Sequence, residues 1–231
     1  MTAKNRLAIK DPLFLQLIVE SLAIDRGERR VIENLSFKVA SGEALLLRGR
    51  NGAGKTTLIR AIAGFLSPAS GKLTLQGGDD EFTLAEQCHY IGHLNGVKAN
   101  MTVGENLSFW GRYLDPDADR AQHLQRLDDA LETFDLLPLE DIPAGYLSAG
   151  QKRRVGLARL KLAHRQVWLL DEPTVSLDTA SVEILAKAVK NHIAGGGLAI
   201  AATHIPLGLE TADTLELVPH RAAYDAQAEG L

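Results

Sequence analysis

Cysteine and long hydrophobic runs are almost absent from this sequence. The single cysteine, Cys88, excludes both a disulfide framework within the chain and a thiolate metal cluster, so a reducing compartment is the simplest interpretation. No stretch approaches the roughly 18 consecutive apolar residues that a membrane-spanning helix requires. The 25 basic residues are scattered and are outnumbered by 29 acidic ones, which argues against a nucleic-acid partner.

The N-terminus resembles a secretion signal only in part. Basic residues precede an apolar run at residues 13–19, and small residues come shortly after it. Gln16 interrupts this run, however, and Glu20 follows it directly. We therefore interpret the stretch as a first β-strand and expect neither a signal peptide nor a transmembrane helix.

Hydrophobic patterning divides the chain into a strand-and-helix part at both ends and a helical middle from residue 102 to about 165. Strands are predicted at residues 17–23, 35–39, 44–48, 71–76, 167–170 and 198–202, and helices at residues 57–63 and 181–193. Thr102 and Glu105 are spaced as a capping box, which predicts a helix that starts there and runs through Trp110. The sequence therefore predicts an α/β fold in which both ends of the chain form the core and a mainly helical lobe is inserted between them.

A glycine-rich loop at residues 49–56 matches the pattern G-x-x-x-x-G-K-[ST]. Glycines allow successive backbone N–H groups to turn inward onto phosphate oxygens. Lys55 would supply a positive charge to the β- and γ-phosphates, and the Thr56 hydroxyl would bind Mg²⁺. The N-terminus of the following helix favours the same anion. The predicted ATP-binding residues are Gly49, Arg50, Asn51, Gly52, Ala53, Gly54, Lys55, Thr56 and Thr57.

Two carboxylates, Asp171 and Glu172, follow the apolar stretch at residues 167–170. A buried parallel strand delivers its last side chains to the edge of the sheet where nucleotides bind. We predict that Asp171 holds Mg²⁺ through water and that Glu172 polarises the attacking water as general base. Alone, the pair would suggest a solvated strand end, but the phosphate loop in the same chain favours catalysis.

A third motif, Leu147-Ser148-Ala149-Gly150-Gln151, fits two roles at once. Ser148 and Gln151 are spaced as a capping box, and a capped helix N-terminus beside a glycine is also an anion site. The motif resembles the signature of ATP-binding-cassette (ABC) ATPases, which usually reads Leu-Ser-Gly-Gly-Gln. Ala149 departs from that pattern at the third position.

Two further segments resemble this family in the expected order. Residues 176–178 resemble the loop through which Asp178 would contact a partner subunit. Thr203-His204 resembles the switch in which His204 contacts the γ-phosphate. The resemblance therefore implies ATP hydrolysis with Mg²⁺ as cofactor, with catalytic roles for Lys55, Glu172 and His204.

The resemblance covers residues 17–218 and implies a P-loop NTPase of the ABC type, with a mixed β-sheet core flanked by helices. It divides the chain into a nucleotide-binding core at residues 17–92 and 166–218, a helical lobe with the signature at 93–165, and terminal extensions at 1–16 and 219–231. In this family ATP lies between the phosphate loop of one subunit and the signature of another. A homodimer with two composite sites is therefore expected.

Two positions depart from the family pattern. Arg26 stands where an aromatic residue usually stacks on adenine, and a guanidinium plane can stack there instead. The glutamine of the loop that joins core and lobe is missing from residues 90–96, and either His93 or Asn95 would have to replace it.

Residues 92–110, 140–143 and 203–207 are unusual for ABC ATPases in general. With the short chain, they resemble the ATPase subunits of bacterial cytochrome c maturation systems, which are haem exporters. That resemblance implies a peripheral subunit on the cytoplasmic face of the inner membrane, with integral-membrane partners and, indirectly, a periplasmic haem chaperone. Hydrolysis would then either move haem or release the loaded chaperone, and the sequence leaves both open.

Direct haem binding by this chain is not expected. No Cys-x-x-Cys-His motif is present, and no ligand-spaced pair occurs among His89, His123, His164, His192 and His220. Phe109, Trp110 and Tyr113 lie at helical spacing and fit either core packing or a surface that holds a membrane subunit.

Three other functions fit the motifs less well. An exporter of another small substrate would not explain the unusual loop at residues 93–100. Soluble ABC ATPases that act on DNA or ribosomes usually carry two cassettes or long basic inserts, and this chain has neither. A nucleotide sensor without hydrolysis would not need Glu172 and His204 together.

Overall fold

Two β-sheets form the framework of the computed structural model, which describes residues 15–203 and 212–219. The first is antiparallel, in the order β2 (Arg29–Ala40), β1 (Gln16–Arg26), β4 (Ser70–Gln76). The second is parallel, in the order β5 (Cys88–Ile91), β6 (Val167–Asp171), β7 (Leu198–Ala202), β3 (Ala44–Arg48), β8 (Asp213–Glu216). The mixed strand directions expected of the core are thus divided between two sheets.

All six predicted strands are confirmed, and residues 44–48 and 198–202 coincide with β3 and β7. Strands β5 and β8 were not predicted. Each has only four residues: β5 reads Cys-His-Tyr-Ile, and β8 carries three exposed polar side chains. Neither segment shows the apolar run or regular alternation that identifies a strand in a sequence.

Strands β6 and β7 are buried along their whole length. Their sequences, Val-Trp-Leu-Leu-Asp and Leu-Ala-Ile-Ala-Ala, suit central parallel strands that are covered on both faces. The register places Asp171 beside Ala202 and Ala202 beside Leu47. The carboxyl ends of β3, β6 and β7 therefore meet at one edge, which is where ligands bind in parallel α/β sheets.

The longer helices of the described ranges are α1 (Lys55–Ile62), α2 (Val103–Leu114), α3 (Arg120–Thr133), α4 (Ala149–Ala158) and α5 (Thr179–Ala194). Helices α2, α3 and α4 lie between β5 and β6 along the chain, where a helical segment was predicted. They share one core cluster, in which Leu107, Leu131 and Leu157 are fully buried. The exact division between core and lobe stays a prediction.

The predicted start of α2 at a capping box is confirmed. The Thr102 hydroxyl accepts from the Glu105 backbone N–H at 3.1 Å, and the Glu105 carboxylate accepts from the Thr102 N–H at 2.8 Å. This reciprocal pair satisfies two donors that a helix N-terminus otherwise leaves unpaired. Within residues 15–203 and 212–219, no helix combines the length and the apolar character needed to cross a membrane.

Candidate nucleotide-binding site

The phosphate loop (residues 49–56) connects β3 to α1 at the carboxyl edge of the parallel sheet. Three of its glycines have positive φ: Gly49 at 129°, Gly52 at 83° and Gly54 at 104°. A Cβ atom on Gly49 would lie 2.3 Å from the carbonyl oxygen of Leu217. A side chain at that position is therefore excluded both by the backbone conformation and by space.

Lys55 begins α1 and lies almost buried against the loop. Its ammonium group donates to the Gly49 carbonyl oxygen at 2.7 Å. The first turn of α1 contains no acidic residue of its own, so the positive end of the helix dipole favours a bound anion. The ammonium group and the helix N-terminus thus provide the electrostatics that a polyphosphate requires.

Thr56 and Asp171 are brought together although 115 residues separate them. The Thr56 hydroxyl donates to Asp171 Oδ1 at 2.9 Å. Asp171 is completely buried, and its Oδ2 has no hydrogen-bond partner within the part of the chain that the structure describes. Hydroxyl and carboxylate oxygens are hard ligands that suit Mg²⁺, and a buried carboxylate oxygen requires such a partner. The residues present therefore fit the predicted cation.

Glu172 follows β6 directly and has a left-handed backbone, with φ at 50°. Its N–H donates to the Ala202 carbonyl oxygen at 2.8 Å, and its own carbonyl oxygen accepts from Arg153 at 2.8 Å. A residue other than glycine keeps this conformation only where its surroundings enforce it, and such positions concentrate at functional sites. The geometry is consistent with the catalytic prediction for Glu172.

The signature segment forms the N-terminus of α4, as predicted. The Ser148 hydroxyl accepts from the Gln151 N–H at 3.2 Å, and the Gln151 side chain accepts from the Ser148 N–H at 2.8 Å. A Cβ atom on Gly150 would lie 2.9 Å from the Ser176 carbonyl oxygen. The signature therefore packs closely against the segment that precedes Asp178, and Leu147 is buried beneath it.

Asp178 is the N-cap of α5, where its carboxylate accepts from the Ser181 N–H at 2.8 Å. Hydrogen bonds from Ser181 lower the pKa of this carboxyl group. The side chain is exposed in the single chain. Capping accounts for Asp178 within one subunit, and the contact with a partner subunit stays a prediction.

Arg26 lies exposed at the end of β1, opposite Arg29 across a tight turn. This hairpin adjoins the phosphate loop, because a Cβ atom on Gly54 would lie 3.2 Å from the side chains of Val31 and Ile32. Arg26 is therefore carried by an element next to the phosphates, as its predicted role requires. Stacking of Arg26 on the base stays a prediction.

His204 lies outside the described residues, and so do the extensions at residues 1–14 and 220–231. Of the switch segment, only Thr203 is described. It is buried at the end of β7, and its hydroxyl lies 3.1 Å from that of Thr174. The role predicted for His204 therefore stays a prediction.

His89 and His192 both have structural partners. His89 Nε2 lies 2.9 Å from the Ala163 carbonyl oxygen, and burial lowers its pKa to about 3. The His192 ring stacks on Trp168 with a centroid distance of 4.0 Å, and burial lowers its pKa to about 4. Both rings are thus neutral components of the core at physiological pH.

No role was predicted for Arg153 from the sequence. Arg153 is buried on α4 and hydrogen-bonds the main chain at Glu172. Helical spacing was the available signal, since Arg153 lies four residues before the buried Leu157 and therefore on the same face of the helix. The neighbouring Arg154 instead forms a salt bridge with Asp135 at 2.9 Å.

Comparison with known proteins places this geometry in a family. The family model described as ABC transporter matches residues 32–175. The cytochrome c biogenesis ATP-binding export protein CcmA of Rhodopseudomonas palustris is 48% identical over 80% of this chain and 89% of that protein. The protein of the same name from Bradyrhizobium diazoefficiens is 47% identical over 85% of this chain and 96% of its own. A solved ATP-binding subunit of an ABC transporter superposes with a TM-score of 0.75 at 26% identity, covering 87% of this chain and 85% of that chain.

Proposed function

The chain belongs to the ABC transporter family, and we propose that it is the ATP-binding and ATP-hydrolysing subunit of an ABC-type membrane complex. The observation that carries the proposal is the hydrogen bond of 2.9 Å between Thr56 and Asp171. It joins the phosphate loop to the carboxylate strand at the sheet edge, so the parts of a nucleotide hydrolysis site are adjacent.

In the proposed mechanism, N–H groups of the phosphate loop and the Lys55 ammonium group hold the β- and γ-phosphates of ATP. Thr56 and Asp171 would hold Mg²⁺, which when bound neutralises charge on these phosphates. Glu172 orients the attacking water and accepts its proton. His204 would contact the γ-phosphate, as the family resemblance implies.

The site is completed by a second copy of the chain in this proposal. Ser148 and the N-terminus of α4 are exposed in the single chain, so they are accessible to a nucleotide held by another subunit. Asp178 is exposed beside them. A homodimer with two composite ATP sites uses both surfaces twice by symmetry.

The transported substrate is proposed from the relatives. Several proteins that are 44–48% identical over most of this chain are named cytochrome c biogenesis ATP-binding export proteins. We assign this chain to haem export for cytochrome c biogenesis, at the cytoplasmic face of the inner membrane. Hydrolysis would energise either haem movement or release of a haem-loaded periplasmic chaperone.

An integral-membrane partner would contact α2. Phe109 and Tyr113 are 42% and 69% exposed on this helix, and Phe109 lines a groove together with Met101 and Arg112. Trp110 is different, because its indole N–H donates to the Gly96 carbonyl oxygen at 2.8 Å. Trp110 therefore holds a loop within the chain, whereas the exposed Phe109 and Tyr113 would be available to a partner.

The test is complementation of a strain that lacks this chain. Wild type should restore covalently haem-bearing c-type cytochromes, measured by haem staining, and Glu172→Gln should not. Glu183→Gln makes the same chemical change at an exposed position of α5 and should restore them fully. Normal cytochrome c levels without the chain would refute the assignment to haem export, and ATPase assays of the purified chain would test hydrolysis separately.

A further inference from the structure

Arg153 is the most completely satisfied buried charge of the described site. It is 3% exposed, yet all three guanidinium nitrogens donate hydrogen bonds. The acceptors are the carbonyl oxygens of Pro173 (3.0 Å), Gly92 (2.7 Å) and Glu172 (2.8 Å) and the side-chain oxygen of Asn95 (3.1 Å). Burial lowers the pKa of Arg153, and the nearby Asp171 carboxylate opposes that effect. A buried guanidinium with this set of acceptors fixes the geometry of every group that it contacts.

Two of these acceptors belong to the catalytic end of β6. Arg153 Nη2 bonds the carbonyl oxygen of Glu172, and Nε bonds that of Pro173. Glu172 is the residue with a left-handed backbone, which requires external support. Arg153 supplies part of that support from α4, the helix that begins with the signature.

The other two acceptors belong to the linking loop (residues 92–96), which follows β5 directly. Nη1 of Arg153 bonds the Gly92 carbonyl oxygen and Asn95 Oδ1. Asn95 also lies directly on α4, because a Cβ atom on Gly156 would come within 3.1 Å of the Asn95 Cβ. His93 is exposed in the same loop. Of the two residues that the sequence left open, Asn95 is the one that hydrogen-bonds Arg153.

The linking loop is fixed to the helical segments on its other side as well. Trp110 of α2 donates to the Gly96 carbonyl oxygen, and the Arg159 guanidinium lies 4.6 Å from the centre of the Trp110 ring. Both α2 and α4 therefore hold the linking loop in place, and Arg153 of α4 also bonds the main chain of Glu172. A displacement of α4 relative to β6 would change the main chain at the catalytic residue.

We propose that Arg153 and Asn95 are positioning residues for hydrolysis: Arg153 holds the main chain of Glu172 in the productive conformation, and Asn95 holds the guanidinium in place. This inference rests on the proposed role of Glu172 as general base. Neither residue belongs to the phosphate loop or to the predicted cation ligands. Loss of either contact should therefore lower the rate of hydrolysis and leave ATP binding intact.

The central variant is Asn95→Ala, compared with Asn100→Ala, which removes the same side chain from an exposed position five residues further along. For the purified full chain we expect kcat to fall about tenfold for Asn95→Ala, the scale of one lost hydrogen bond to a charged group. KM for ATP and the melting temperature should stay close to wild type. Asn100→Ala should match wild type in all three measurements.

Two further variants separate positioning from a purely structural role. Asn95→Asp keeps an oxygen acceptor for the guanidinium and should restore most of the lost kcat. Arg153→Lys keeps the charge but not the fork of donors, so it should lower kcat at least as much as Asn95→Ala. Combining Asn95→Ala with Arg153→Lys should add little to the loss of kcat caused by Arg153→Lys alone, because that change already breaks the contact between the two side chains.

The proposal is overturned if Asn95→Ala leaves kcat unchanged, if it raises KM instead, or if His93→Ala lowers kcat more than Asn95→Ala does. If Arg153→Lys does not fold, the comparison of Asn95→Ala, Asn95→Asp and Asn100→Ala still decides. Turnover of Glu172→Gln shows whether a negative result concerns the positioning role or the proposed hydrolytic function itself. Should Glu172→Gln stop turnover while Asn95→Ala does not slow it, only the positioning role is wrong.

Discussion

The phosphate loop and the linking loop lie on the same edge of the parallel sheet, yet their conformations have different origins. Residues 49–56 are shaped by the main chain itself, with positive φ at Gly49, Gly52 and Gly54. Residues 92–96 contain one such glycine, Gly96 with φ of 64°, and are held mainly by side chains from distant helices, chiefly Arg153 of α4 and Trp110 of α2. The conformation of the phosphate loop therefore depends mainly on its own glycines, whereas that of the linking loop depends mainly on contacts with neighbouring helices.

This difference has a mechanical consequence. A loop built from its own glycines keeps its form when the surrounding helices shift, which suits a permanent phosphate site. A loop held by α2 and α4 must follow these helices when they move. The phosphate loop is therefore suited to binding, and the linking loop to transmitting motion.

Glu172→Gln should produce the largest effect, because it removes the proposed general base and leaves the phosphate loop untouched. We expect turnover to fall by about 100-fold or more, within the usual range for general-base catalysis. ATP affinity should be retained, and the ATP-bound dimer should accumulate and be visible by size-exclusion chromatography. Turnover at the wild-type rate would show that binding and hydrolysis are not divided between these elements as assigned.

Lys55→Ala should have the second-largest effect, and we expect it to weaken ATP binding. Its ammonium group is the cation that the phosphate loop supplies, and loss of a charged hydrogen bond should weaken ATP binding by roughly 10- to 100-fold. Equilibrium binding of ATP measures the effect. Lys161→Ala, on a partly exposed lysine outside the loop, is the control. Equal affinity for Lys55→Ala and wild type would contradict the assignment of the phosphate site.

The contrast between the two loops also explains how much the sequence could predict. The phosphate loop, both capping boxes and strands β3 and β7 were predicted because their determinants are local: glycine positions, i to i+3 pairs and apolar runs. Arg153 and Asn95 lie 58 residues apart, and no periodicity connects them. Their contact depends on how α4 packs against β6, which is a property of the tertiary structure. The short strands β5 and β8 were missed for a similar reason, since neighbouring strands determine them.

Gly49→Ala tests whether the conformation of the phosphate loop depends on its own glycines. The alanine would have to adopt a φ of 129°, and its Cβ atom would lie 2.3 Å from the Leu217 carbonyl oxygen. We expect the free energy of unfolding to fall by about 2 kcal/mol, measured by urea denaturation. Gly42→Ala is the matched control, because its φ of 81° is also positive but the space around it is open. Equal losses in both variants would mean that backbone strain alone accounts for the cost.

Arg26→Ala should have the smallest effect, because Arg26, which is predicted to stack on adenine, is exposed at the end of β1. Stacking of an exposed guanidinium on a base contributes about 0.5–1 kcal/mol, so ATP affinity should fall by roughly two- to fivefold. Arg29→Ala removes the same charge from the opposite side of the turn and corrects for long-range attraction of the phosphates. If both variants weaken binding equally, Arg26 acts only through its charge. A larger loss for Arg26→Ala, persisting at high salt, would place the base beside it, because stacking resists screening and distant attraction does not.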